Sequence, residues 1–304
     1  MPRAKANGLE FEYESFGRHG DPVVLLIMGF SAQMTVWPSG FCEGLAARGF
    51  RVIRFDNRDI GLSTHLSHLG APNVMDAMAR RLSGQPVANA PYLLDDMAAD
   101  AAALLDTLGV RAAHIVGASM GGMIAQIFAA KYPQKTLSLV SIMSTTGDPG
   151  LPQAKPEAMA ALTTPPASDS REDRVAQGMK VWRVIGSPGY PVPEAELRAF
   201  VESLIDRAPY DPAGVARQLV AIIASPPRTE MLKDVRAPAL VVHGEDDPLV
   251  PVEGGRHTAR CIEGCKLVTL PGVGHDISNT LVPVYLRHVG EFLTAANAQA
   301  RAAE

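Results

Sequence analysis

Apolar residues along this chain follow two periods that take turns. Short, largely apolar runs occupy residues 23–28, 51–55, 112–116, 136–143, 239–243 and 266–270. Runs of this length, bounded by glycine, proline and polar residues, read as strands, and the continuous ones as strands buried on both faces. Between them lie stretches with helical spacing, at residues 37–48, 94–108, 123–132, 212–224, 251–261 and 282–296. In the second of these, Leu94, Met97, Ala101, Leu104, Leu105 and Leu108 form one stripe that Gly109 terminates. The start of the chain differs. Leu9, Phe11 and Tyr13 alternate with Glu10, Glu12 and Glu14 after an Asn7-Gly8 turn, the pattern of a half-buried strand in an antiparallel hairpin. Strands alternating with helices predict an α/β fold with a doubly wound, mostly parallel sheet.

Residues 147–210 change character. They hold many prolines, among them Pro165-Pro166 and Pro188, and amphipathic segments at 156–162, 171–185 and 193–207, with no buried-strand run between them. This predicts an all-helical insertion, with residues 1–146 and 211–304 as the main body. Residues 64–92 read as irregular with short helical pieces around 74–82, and 297–304 as a frayed tail.

With 304 residues, 47% of them hydrophobic, the chain can bury a large core, and one domain with an insertion fits the length. The balance of 28 basic against 32 acidic residues, without runs of like charge, gives no reason to expect nucleic acid as a partner. Residues 1–10 are polar and lack the apolar segment of a signal peptide, and no stretch approaches the length of a membrane span. The expectation is a cytoplasmic protein that does not enter a membrane. Cys42, Cys261 and Cys265 do not form a disulfide framework. Cys261 and Cys265 would share a face of one helix, but further zinc ligands at suitable spacing are missing, so all three read as buried thiols and no metal is expected.

The chemistry concentrates at Gly117-Ala118-Ser119-Met120-Gly121. A glycine-flanked serine also occurs in ordinary turns. Here an apolar strand precedes it and a helix follows, which is the context a G-x-S-x-G elbow requires. Reversing direction that sharply strains the serine backbone and projects its hydroxyl from the sheet at the positive end of the helix. The Met120 N–H then faces the same point and can bind a developing oxyanion.

A serine hydroxyl needs a base. Of eight histidines, His275 lies in a glycine-rich loop, Pro271-Gly272-Val273-Gly274-His275-Asp276, between the last strand and last helix. His114 and His243 fall within or at the end of strands and read as structural, while His19, His65, His68, His257 and His288 read as surface. In the chain order Ser, Asp, His, the acid falls in His243-Gly244-Glu245-Asp246-Asp247-Pro248. Pro248 biases Asp247 towards extended geometry and favours it over Asp246, and Asp148, after the strand that follows the elbow, is a third candidate. The loop after residues 23–28 places the Phe30 N–H as a second oxyanion donor.

Taken together, Leu26-Ile27-Met28-Gly29-Phe30, Phe55-Asp56-Asn57-Arg58-Asp59-Ile60-Gly61-Leu62-Ser63, the elbow with Gly122, the 244–251 stretch and Gly274-His275 resemble the α/β-hydrolase family. Met28-Gly29, Trp37-Pro38 and Arg58-Asp59 look like its aclacinomycin methylesterase branch. Met28 stands where the family usually has histidine. The resemblance implies Ser119 as nucleophile, Asp247 and His275 as its partners, Phe30 and Met120 as oxyanion donors, and residues 147–210 as a cap over the site. Dehalogenases and epoxide hydrolases of the family carry an aspartate nucleophile, so Ser119 argues against both.

The resulting expectation is a hydrolase of small-molecule carboxylic esters that needs no metal or organic cofactor. Cofactor-free haloperoxidase or perhydrolase chemistry could use the same triad, and a non-catalytic ligand-binding relative is the reading from outside enzymology. Trp182 and Met179 are the expected substrate-binding residues of the cap, with Met159, Tyr190 and Phe200 as further apolar candidates.

Overall fold

The computed structural model describes residues 2–302. Its strands are β1 (Arg3–Ala6), β2 (Leu9–Phe16), β3 (Val23–Ile27), β4 (Arg51–Phe55), β5 (Ala113–Ala118), β6 (Thr136–Ile142), β7 (Ala239–Gly244) and β8 (Lys266–Leu270). Among the described residues they form one sheet in the order β1-β2-β4-β3-β5-β6-β7-β8. The hairpin pairs antiparallel and everything from β4 to β8 pairs parallel. Asn7 and Gly8 both take positive φ, 48° and 75°, as the hairpin turn requires.

The helices are α1 (Ser39–Ala46), α2 (Val74–Leu82), α3 (Leu94–Thr107), α4 (Met120–Lys131), α5 (Pro156–Thr163), α6 (Arg171–Ile185), α7 (Glu194–Arg207), α8 (Pro212–Ala224), α9 (Val252–Cys261), α10 (Val282–Tyr285) and α11 (Glu291–Ala302). Two layers follow from the period-two alternation within the buried strands. Leu25, Ile27, Ile53, Ile115 and Leu139 point to one face, where Met97, Leu104, Ile124 and Phe128 of α3 and α4 cover them. Val24, Leu26, Val52, Val116 and Val140 point to the other, beneath Phe41 and Leu45 of α1 and Leu293 of α11. The inserted region supplies α5, α6 and α7 without a strand, and builds a small core of its own from Val175, Met179, Leu197 and Val201.

Four expectations change. Glu12 is not a solvent-facing alternate. It is buried, its amide donates to Ser63 Oγ (2.9 Å) and its carboxylate takes the Arg3 guanidinium, because the 56–64 loop covers that side of β2. The terminal helix is two pieces joined by a wide π-turn, Leu286–Gly290. Tyr285, Val289 and Leu293 recur every four residues, longer than one α turn, and the wide turn keeps all three on the core. Residues 297–302 are helical within α11 rather than frayed, while residues 303–304 of that tail, like Met1, lie outside those described. Cys42 is buried, but Cys261 closes α9 and Cys265 lies beyond it, so the pair shares no helix and both are only half-buried.

His114 is fully buried on β5, with Nδ1 against Ser138 Oγ (2.8 Å) and its ring edge-on to Phe50. Burial lowers its pKa from 6.5 to about 4. Below 6.5 the unfolded chain takes up a proton that the folded chain refuses until about pH 4, so this residue's contribution is intact above 6.5 and lost as the pH falls through that window. We expect acidification across it to remove up to about 3 kcal/mol of stability through this residue. Urea unfolding of wild type and His114→Asn at stepped pH checks this: the variant should show the shallower slope, and equal slopes would refute it.

Candidate active site

β5 passes into α4 through a single residue, Ser119, at φ 56° and ψ −122°. A non-glycine residue there stores about 1–3 kcal/mol of strain, held in place by its surroundings. The surroundings are close. A Cβ on Gly117 would come within 2.0 Å of Gly121 O, and one on Gly121 within 2.0 Å of Ile27 O. The Ser119 amide donates to Ile142 O (2.9 Å) and Ser144 Oγ–H donates to Ser119 O (2.8 Å), so β6 and the loop after it lock the turn. α4 begins at Met120, three residues before the sequence pattern places it, so the Met120 amide is the first of the helix's free N–H groups.

His275 comes off the loop after β8, and its Nε2 lies 3.0 Å from Ser119 Oγ. Asp247 follows β7, and its Oδ2 lies 2.7 Å from His275 Nδ1. A carboxylate only accepts, so Nδ1 carries the proton and Nε2 is left to receive one from the serine hydroxyl. The second Asp247 oxygen accepts the Leu249 and Val250 amides (2.9 and 2.8 Å). Burial on its own would push this carboxyl up, but electrostatic attraction to His275 and the His275 and His243 N–H groups beside it outweigh this and hold the group well below the usual carboxylate range. His243 stands behind it, donating from Nε2 to Val250 O (2.7 Å) at 3.4 Å from Asp247 Oδ2. Asp246 faces outward and accepts the Gly272 amide, and Asp148 caps Gly150 and takes Thr229 Oγ–H, so neither meets the imidazole.

The 29–36 segment lies against the serine: a Cβ on Gly29 would sit 3.0 Å from Ser119 Cβ. Ser31 takes φ 55°, and no acceptor among the described residues takes the backbone N–H of Phe30 or Met120. What holds this segment is not visible in the sequence motif at 55–63. Asn57 Nδ2 donates to Met28 O (2.8 Å), Asp56 Oδ1 accepts the Met34 amide (2.7 Å), and Gln218 Oε1 accepts the Ser31 amide (3.0 Å). Gln218 Nε2 in turn donates to Arg58 O (2.7 Å). The signal was present: Arg217 and Gln218 are two polar residues on an otherwise apolar α8, and both are fully buried. Arg217 forks onto Asp59 (2.8 and 2.7 Å) and reaches Asp211 (3.3 Å). Donor atoms of Asp59, His65 and Asp211 converge within 4.8 Å, but that guanidinium already bridges the two carboxylates, so the cluster is an ion-pair knot.

In the inserted region, Trp182 and Phe200 pack edge to face at 5.3 Å and against that region's own core, and with Tyr190 and Leu204 they meet the cluster containing Met28, Met143 and Val273. Met179, expected at the substrate, is instead 3% exposed inside the inserted region's own core, because its face of α6 packs on Leu197 and Val201 of α7.

The alpha/beta hydrolase fold family profile matches residues 22–278. The chain belongs to the α/β-hydrolase family. Rhodomycin D methylesterase DnrP of Streptomyces peucetius is 30% identical over 286 residues, covering 87% of this chain and 88% of that protein. The bifunctional esterase/perhydrolase DCH of Acinetobacter calcoaceticus is 26% identical over 90% of this chain and 92% of its own length. Among solved structures, the enol-lactonase from Burkholderia xenovorans LB400 superposes with a TM-score of 0.73 at 23% identity, covering 96% of this chain and all of that one. In this α/β hydrolase the geometry ranks the acids. Asp247→Asn should lower kcat by about 10⁴ by leaving the imidazole in the wrong tautomer. Asp246→Asn and Asp148→Asn should stay within about tenfold of wild type, roughly 1.4 kcal/mol of barrier. Rates of the three variants on one activated ester decide the ranking, and a dead Asp148→Asn would overturn it.

Proposed function

We propose that this hydrolase cleaves carboxylic esters through an acyl-enzyme on Ser119. The observation that carries the reading is the Ser119–His275–Asp247 relay at 3.0 and 2.7 Å, ending on a serine held at positive φ. Ser119 Oγ attacks the ester carbonyl while His275 Nε2 takes its proton. The tetrahedral oxyanion is met by the Phe30 and Met120 amides, which no acceptor among the described residues takes. Collapse expels the alcohol, which takes the proton from His275. Water, deprotonated by the same nitrogen, then attacks the acyl carbon, and the acid departs as Ser119 regains its proton. Asp247, ionised throughout, stabilises the imidazolium that forms in each half.

For substrate class we favour methyl esters of bulky apolar acids. A methylesterase is among the relatives at 30% identity, and the cap offers Trp182, Tyr190, Phe200 and Leu204 as a broad apolar ceiling. A chain-length series of p-nitrophenyl esters beside methyl esters of bulky acids tests this. The likeness to an esterase/perhydrolase supports one further reaction of the same site, in which hydrogen peroxide replaces water at the acyl carbon and the product is a peracid.

Ser119→Ala should abolish turnover and phosphonate labelling while the circular dichroism spectrum stays that of wild type; turnover in the folded variant would refute the nucleophile. Trp182→Ala should shift chain-length preference while kcat on p-nitrophenyl acetate stays within about tenfold, a barrier change of roughly 1.4 kcal/mol. A loss on acetate as deep as that of Ser119→Ala would place a catalytic duty on the ceiling.

A further inference from the structure

The loop that carries His275 is bonded to the cap. α6 ends at Ile185, and Ile185 O accepts the amide of His275 itself (2.7 Å). One residue earlier, the Gly274 amide donates to Ser187 Oγ (2.8 Å). Ser187 Oγ–H in turn donates to Asp276 Oδ1, one residue after the histidine. Further along, the Gly189 amide donates to Gly272 O (2.8 Å), and Thr280 Oγ–H donates to Tyr190 O (3.1 Å). Residues 185–190 therefore run along 272–276 as a seam in which Gly274 and Gly189 leave no room for a side chain. A Cβ on Gly274 would lie 2.4 Å from Gly186 O, and one on Gly189 2.9 Å from Gly272 Cα.

Two groups in this seam have no part in the relay. Ser187 is 6% exposed and Asp276 is 3% exposed. Asp276 spends its other oxygen on the Ser278 amide (3.3 Å), and its carbonyl accepts Tyr285 Oη–H (3.2 Å). Its carboxylate thus serves only to fix backbone on the far side of His275, with Ser187 bridging it to the near side. A single hydroxyl ties the peptide N–H just before the imidazole to the carboxylate of the residue just after it.

We propose that Ser187, on the cap, is a positioning residue for His275, and that the cap thereby sets the alignment of the base. The inference rests on the reading of His275 as the base, given above. Without the hydroxyl, the Gly274 amide and the Asp276 carboxylate lose their shared partner inside the protein, and both are buried. The loop relaxes toward new partners and the ring tilts on its two short hydrogen bonds. A misplacement of about 1 Å at a reacting group can cost about 100-fold in rate.

The experiment compares wild type with Ser187→Ala, the near-isosteric Ser187→Cys and Ser187→Thr. Kinetics use p-nitrophenyl acetate, and proton NMR follows the far-downfield resonance of the His275 Nδ1–H bonded to Asp247. Ser187→Ala and Ser187→Cys should lower kcat by about 10- to 100-fold with KM within about twofold, since the thiol is a weak donor and acceptor. Ser187→Thr, which keeps the hydroxyl, should recover most of the rate. The downfield resonance should broaden or move in the first two variants and not in the third. If Ser187→Ala fails to fold, Ser187→Cys decides alone. Unchanged kcat and an unchanged resonance in the Cys variant would overturn the proposal, as would equal losses in Cys and Thr. Should wild type cleave no ester, the proposed function fails while the resonance still tests the seam: a signal identical in wild type and Ser187→Cys would then overturn it.

Discussion

A hydroxyl stands clear of a parallel sheet only if the chain reverses between strand and helix without a spare residue, and here that reversal depends on backbone touching backbone. Gly117 and Gly121 let β5, α4 and the end of β3 come within distances that no side chain would allow. Everything at the site is referred to this contact. It sets Ser119 at φ 56°, brings the first amide of α4 beside the serine, and presses Gly29 against Ser119 Cβ. The strain is local and is offset by the sheet around it, since β3, β5 and β6 are buried on both faces.

A strained turn directs a hydroxyl but does not fix the loops that must meet it, and those are held by buried charge. Removing charges from water is costly unless each finds a partner. The 56–59 loop meets that condition throughout: Arg58 forks onto Asp100 (2.6 and 2.7 Å), Asp59 takes Arg217 and Tyr92, and Asp56 takes two backbone amides together with Arg207. An apolar cluster of similar volume could stabilise as much. It could not dictate the path of the 29–36 segment, because only directional bonds such as Asn57 to Met28 O and Gln218 to the Ser31 amide do so. The direction of these bonds places the Phe30 amide, and their loss would leave the fold with a loose 29–36 segment.

These two layers were unequally legible. The sheet, its hairpin, the elbow and the inserted helices follow from local periodicity, and the positions of Ser119, Asp247 and His275 follow from turn chemistry at strand ends. Each of those signals is short in sequence. The ionic hub is not: Arg58 and Asp100 are 42 residues apart, and Arg217 and Asp59 are 158 apart. No window along the chain contains both partners, so the motif at 55–63 does not reveal them. Met179 was misplaced for a related reason. One helix face reads as apolar whether it covers a ligand or a neighbouring helix, and only the position of α7 decides. The π-turn at 286–290 was hidden because apolar residues four apart fit an α-helix nearly as well as a wider one.

The inserted segment is anchored to the main body at two edges. At the edge facing the 29–36 segment, Gln33 Nε2 donates to Leu204 O (2.7 Å) and Gln33 Oε1 accepts from Arg207 Nη1 (2.6 Å), so α7 leans on the segment carrying Phe30. At the histidine side, the end of α6 holds the His275 amide. Between these anchors Trp182 and Phe200 pack against each other, against the cap's own core and against the cluster of Met28, Met143 and Val273. The anchoring groups are mostly backbone, which substitution leaves in place, whereas the ceiling is side chain, which substitution changes freely. Such a segment can acquire a new ceiling without disturbing either edge, provided α6 still ends at Ile185 and α7 at Arg207. Insertions or deletions within those helices would rotate their ends by about 100° per residue and break both anchors at once. Helix length in the cap is therefore constrained by the loops its ends anchor, while its apolar side chains between those ends are not.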